Sequence, residues 1–136
     1  MTSTSPPESW LEGKARRIPL ERLSDERGSL LPLDFHALPF APQRIFVVHE
    51  VPVGAVRGRH AHHRSRQLLV RLQGRIEVEM RCLGATARTV LEDSHSGLLL
   101  EAGVWAAQTY LEPGSSLLVL ASEAFHPSSY IADTGE

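Results

Sequence analysis

The segment Gly54-Ala-Val-Arg57-Gly58-Arg59-His60-Ala61-His62-His63-Arg64-Ser65-Arg66-Gln67-Leu68-Leu69-Val70-Arg71-Leu72-Gln73-Gly74 runs through a cluster of imidazoles and guanidiniums into an apolar β run. In a strand, residues i and i+2 point to the same face about 6.6 Å apart, so His60 and His62 converge on one spot. That geometry suits a metal ion or a substrate that must exchange protons. Two solvated histidines on a sheet edge have the same spacing, so the motif alone does not choose between them. His63 faces the opposite way from His62 in a regular strand and makes a poor third ligand. Directly downstream, Ile76-Glu77-Val78-Glu79-Met80-Arg81 alternates apolar and charged residues strictly, the mark of a strand with one buried and one wet face.

Outward from this segment, short β-type runs recur between turn residues: Ser29 to Phe35, Arg44 to Val51, Gln67 to Gln73, Arg75 to Cys82, Arg88 to Glu92, Gly97 to Glu101 and Ser115 to Ser122. Turns are expected at Pro52-Val53-Gly54, Gly74, Gly84, Gly97, Gly103 and Pro113-Gly114, and no segment carries a helical period. The expectation is an all-β sandwich or barrel. The runs Leu98 to Leu100 and Leu117 to Leu120 are continuously apolar, as in strands buried on both faces, in the barrel wall or at a subunit interface. Residues 1–15, polar and bearing Pro6-Pro7, are expected to form a flexible tail, leaving a single domain over 16–136.

With 136 residues, 42% hydrophobic and 22% charged, the chain can bury one substantial core. A formal charge of -2 argues against a surface built for nucleic acid, and the Arg/His cluster lacks interleaved aromatics. The basic character is local: residues 51–76 hold six arginines and three histidines with no Asp or Glu. A single cysteine, Cys82, excludes an internal disulfide and fits a reducing compartment. No apolar run approaches the roughly 18 residues of a membrane span, so a cytoplasmic protein without membrane contact is expected.

The spacing from Gly54 through His60, His62 and Gln67 to Gly74 is similar to the first motif of the cupin superfamily, with Gln67 where metal-binding cupins usually carry Glu. In the second motif, Gly103-Val104-Trp105-Ala106 lacks the usual histidine. Arg44-Ile-Phe-Val-Val, Val51-Pro-Val-Gly54, Arg57-Gly58-Arg59-His60-Ala61-His62, Gln67-Leu-Leu-Val70, Gly97-Leu98 and Leu118-Val-Leu-Ala-Ser-Glu123 with Tyr130-Ile131 resemble the sugar 3,4-ketoisomerases, or WxcM-like cupins. The resemblance spans about Ile18 to Ile131. It implies a cupin (RmlC-like) jelly roll and a homodimer that converts dTDP-4-keto-6-deoxyglucose to a 3-keto isomer through an enediol, in the biosynthesis of surface-glycan sugars.

By position, the resemblance makes His60 and His62 the catalytic pair. Arg57 is the candidate for the diphosphate or the enediolate, and Arg44, Gln67, Trp105, Arg71 and His49 are further candidates for substrate binding. Two imidazoles and a weakly ligating amide are too few donors for a stable divalent site, so no metal and no cofactor are expected. Val47, Val48 and His49 stand where many members have tyrosines, and Glu101-Ala102 where two prolines are usual. Blander readings attach to other residues: Arg59, Arg64 and Arg66 as a solvated rim, Tyr110 and His95 as structural or surface groups, His126 as exposed and Cys82 as an inert thiol. The rival functions are an epimerase acting on a related keto-sugar nucleotide, a non-catalytic sugar-nucleotide binder and a metal-dependent cupin oxygenase.

Overall fold

The computed structural model describes residues 8–132, with side chains through residue 128. In chain order the strands are β1 (Ser9–Trp10), β2 (Ala15–Pro19), β3 (Leu23–Asp25), β4 (Gly28–Leu30), β5 (Arg44–Val48), β6 (Val56–His62) and β7 (Gln67–Gln73). They continue as β8 (Ile76–Cys82), β9 (Ala85–Leu91), β10 (Ser96–Leu100), β11 (Trp105–Tyr110), β12 (Ser116–Ala121) and β13 (Tyr130–Ala132). Helical content among the described residues is limited to three 3-10 turns, Leu11–Gly13, Phe35–Ala37 and Pro127–Ser129.

A six-stranded sheet of order β1-β2-β10-β7-β12-β5 faces a five-stranded sheet of order β13-β6-β11-β8-β9, and β3-β4 forms a separate hairpin. From β5 onward successive strands alternate between the two main sheets except at the β8-β9 hairpin, which is the jelly-roll winding. The core lies between the sheets. Ile76, Val78 and Met80 of β8 are fully buried, as their alternation requires, against Leu69, Leu98, Leu117 and Val119 from the opposite sheet. The charged residues of β8 meet on the outer face, where Arg81 pairs with Glu79 at 2.9 Å.

Leu68, Val70, Leu99 and Leu120 form a second core on the other side of the six-stranded sheet, beneath Leu31, Leu33, Leu38 and Phe40. This explains the continuously apolar runs: β7, β10 and β12 are buried on both faces because a segment of the same chain roofs the sheet. That roof also corrects the expected Ser29–Phe35 strand. Only Gly28–Leu30 is extended and paired, with Leu23–Asp25. Pro32 has no amide proton to give a ladder, and the leucines beyond it are used for packing. Toward the N-terminus, Ser9–Trp10 pairs with Arg16 and Ala15, and Trp10 and Leu11 pack on the core, so sheet structure begins ahead of residue 16.

Candidate active site

β6 pairs with β11 in the register Thr109↔Val56, Gln108↔Arg57, Ala107↔Gly58 and then Ala106↔His60, which leaves Arg59 as an extra residue. Gly58 and Arg59 both have positive φ, 91° and 63°, at this β-bulge. A Cβ on Gly58 would stand 2.8 Å from the movable Gln108 Oε1 and 3.0 Å from the Ala106 carbonyl oxygen, so tight space adds to the preference for glycine that the φ of 91° sets. The bulge shifts the side-chain alternation by one. Arg57, His60 and His62 consequently line the same cavity, which a regular strand would not allow.

The cavity has a volume of about 520 Å³ and lies between the two sheets. Its walls are Phe46, Val48, Leu69, Leu100, Val104, Ala106, Leu117 and Val119, and its polar groups are Arg44, His49, Arg57, His60, His62, Ser65, Gln67, Glu101 and Gln108. An apolar recess with a few convergent polar groups is the usual form of a small-molecule site. The Arg44 guanidinium lies against two rings, its Cζ 4.5 Å from the centroid of Phe46 and 4.9 Å from that of Phe125.

The imidazoles of His60 and His62 are 4.9 Å apart between centroids and inclined at 67°. His60 Nδ1 lies 2.9 Å from the Gly58 carbonyl oxygen, to which it donates, so the neutral ring has its lone pair on Nε2. His62 is buried, and the Gln67 amide nitrogen donates to its Nε2 at 3.1 Å. Burial, reinforced by the charges of His60 and Arg44, lowers the His62 pKa to about 4 and keeps that ring neutral at physiological pH. Among the described residues no group of three or more His, Cys, Asp or Glu is placed to hold a metal ion.

Six of the eight expected site residues therefore meet in the cavity: His60, His62, Arg57, Gln67, Arg44 and His49. Trp105 and Arg71 do not. Trp105 precedes the inward Ala106 on β11, faces the outer side of the sheet and stacks against Arg81, whose Cζ is 4.3 Å from its ring. Arg71 finds its partner in the chain itself, donating to the Gly74 carbonyl at 2.6 Å and to Ser94 Oγ at 3.2 Å, and so fixes the β7-β8 turn. Arg66, expected in a solvated rim, instead forms a two-pronged ion pair with Glu101 at 2.9 and 3.2 Å. Sequence reading missed Ser65, Glu101 and Gln108 as lining groups. Glu101 signalled itself only by replacing a usual proline, and Gln108 gave no signal at all.

Against this geometry, residues 14–136 match the family model described as FdtA, WxcM-like, C-terminal. The chain belongs to that family. A curated relative, TDP-4-oxo-6-deoxy-alpha-D-glucose-3,4-oxoisomerase of Aneurinibacillus thermoaerophilus, is 27% identical over 115 residues, 84% of this chain and 83% of the relative. QdtA, a sugar 3,4-ketoisomerase from Thermoanaerobacterium thermosaccharolyticum solved with TDP, superposes with a TM-score of 0.85 at 27% identity, covering 89% of each chain. The RmlC epimerase of Mycobacterium tuberculosis superposes with a TM-score of 0.78 at 14% identity over 93% of this chain and 72% of its own, which shows the shared RmlC-like fold. This member of the family thus has the expected cupin jelly roll.

Proposed function

We propose that the chain is a metal-independent nucleotide-sugar 3,4-ketoisomerase that converts TDP-4-keto-6-deoxyglucose to a 3-keto isomer. The observation that carries the reading is the pair His60 and His62 on one face of β6, one ring tied through Nδ1 and the other kept neutral, in a cavity to which the bulge also brings Arg57. Similarity to TDP-sugar ketoisomerases by sequence and by fold supports the substrate class.

The C4 carbonyl acidifies the hydrogen on C3. His60 Nε2 removes that proton, and the Nδ1–H bond to the Gly58 carbonyl steadies the imidazolium that results. The electron pair released at C3 forms the C3–C4 double bond and places charge on the C4 oxygen. The O3 proton passes to the C4 oxygen, and the His60 imidazolium, after exchange with solvent, returns a proton to C4, which completes the 3-ketone with no net gain or loss of electrons. His62, neutral and held by Gln67, serves as the second proton-transfer group. Arg57 and Arg44 hold the diphosphate or the enediolate charge. Two imidazoles and one amide supply weak ligation for a divalent ion, so the proton relay requires no metal. The protein works as a cytoplasmic homodimer in this reading; no helix among the described residues is long and apolar enough to cross a membrane.

The test is proton NMR of chelator-treated protein with TDP-4-keto-6-deoxyglucose in deuterated water. The expected result is a 3-keto product carrying deuterium at C4. Exchange at C3 without a 3-keto product would identify an epimerase, and folded protein that gives neither would overturn the reading.

A further inference from the structure

We infer that the Arg66–Glu101 ion pair is a positioning device for the His62 imidazole, joining the two loops that hold that ring to the roof over the six-stranded sheet. The inference rests on the reading of His62 as one of the two proton-transfer groups.

Arg66 and Glu101 occupy equivalent places on neighbouring strands. Gln67, the first residue of β7, is in register with Leu100, the last of β10, so Arg66 and Glu101 form the next cross-strand pair just beyond the ladder. Their contact uses the full fork of the guanidinium. Nε meets Oε1 at 2.9 Å and Nη2 meets Oε2 at 3.2 Å, while Nη1 donates to the Pro39 carbonyl at 3.1 Å. The Phe40 ring lies 5.5 Å from Cζ, and Arg16 adds a longer contact to Glu101 Oε2 at 3.5 Å. Lysine has no planar fork and cannot reproduce this arrangement.

Each loop closed by the pair has a direct hold on His62. On one side, Gln67 follows Arg66 and donates its amide to His62 Nε2. On the other, Glu101 opens the turn to Val104, and Gly103 within that turn donates its N–H to the His62 carbonyl at 2.9 Å. The ring and the backbone of His62 are thus located by two loops that meet through one ion pair. Glu101 also lines the cavity, so its negative charge enters the site already occupied by guanidinium. Exposed ion pairs contribute little to stability, but this pair is three-quarters or two-thirds covered, with side-chain exposures of 27% for Glu101 and 31% for Arg66.

The experiment compares Glu101→Gln and Arg66→Lys with the parent protein, by steady-state kinetics and by histidine side-chain NMR titration without substrate. Both variants should lose about 10- to 100-fold in kcat with KM changed less than about threefold, since misplacement of a reacting group by an ångström is enough. In Arg66→Lys, which keeps both charges, the His62 titration, governed by its burial beside His60 and Arg44, should move upward as the loosened loops admit water; in Glu101→Gln the loss of a carboxylate from the cavity acts in the opposite direction, so that variant is read by its kinetics. The NMR reading needs no turnover, so it decides the positioning role separately from the proposed reaction. A lowered melting temperature with kcat and the His62 titration both unchanged would show a purely structural pair and overturn the inference. Should Arg66→Lys fail to fold, Glu101→Asp, which keeps the charge and shortens its reach, decides by the same two readouts. Should neither fold, the pair is a folding determinant and the positioning role is lost.

Discussion

Arg57 and His60 are three positions apart on β6 and yet line one cavity, because the bulge at Gly58-Arg59 inserts an extra residue opposite β11. The relationship makes Arg-Gly-X-His a geometric unit. Arginine and the first histidine reach the same substrate only if the strand between them carries the bulge.

Gly58→Ala should therefore remove activity by about 100-fold or more, with a loss of about 1–3 kcal/mol in stability from the forced φ of 91° and the contact with the Ala106 carbonyl. Gly84→Ala is the control. Gly84 has a comparable φ of 83° but open space around its would-be Cβ at the β8-β9 turn, so it should lose stability and keep its kcat. Urea unfolding and kinetics on the two variants separate backbone strain from site geometry.

His62 should make stability depend on pH. Its pKa falls from 6.5 in the unfolded chain to about 4 in the fold, so between those values the unfolded state binds more protons. Stability contributed by the neutral ring is complete above about pH 6.5 and is lost as pH falls toward 4, by a limit on the order of 3 kcal/mol. His62→Asn should flatten that limb of the melting-temperature curve and lower kcat by about 100-fold or more. His60→Asn should match the activity loss. If both variants keep full activity, the imidazole mechanism is wrong.

The cavity residues and the displaced candidates should part company in kinetics. Arg57→Met removes a charge-assisted contact to the proposed diphosphate or enediolate, and should lower kcat/KM by about 10- to 100-fold. Trp105→Phe acts on the outer face of β11, where Arg81 stacks, and should leave KM and kcat within about twofold. A large KM effect from Trp105→Phe would place that ring in the site after all.

Tyr110 is fully buried, and its hydroxyl has no hydrogen-bond partner among the described residues. Burial raises its pKa to about 12, against a smaller opposing effect of Arg57. Tyr110→Phe removes a desolvated oxygen and no protein hydrogen bond, so the melting temperature should hold or rise rather than fall. A loss above about 1 kcal/mol in denaturant unfolding would reveal a bond made by that hydroxyl.

Local pattern was enough for most of the fold. The alternation in β8 located a half-buried strand, and the apolar runs of β10 and β12 marked strands covered on both sides. What defeated local reading was choice of partner. Ala15–Pro19 shows no alternation and becomes a strand because β10 offers it an edge, while Leu31 and Leu33 have the right composition for a strand and are drawn into the roof.

The same division runs through the site. Spacing alone put His60 and His62 on one face, since a period of two is a property of any extended chain, and placed Gln67 at the start of the next strand; its hydrogen bond to His62 comes from the fold. Strand pairing brings Arg57 to them, leaves Trp105 and Arg71 outside the cavity, and closes Arg66 on Glu101. A bulge exists only against a partner strand, and an ion pair 35 residues apart in sequence exists only where two strand ends are brought side by side. Neither condition is written in the spacing of one segment, because both are properties of pairing.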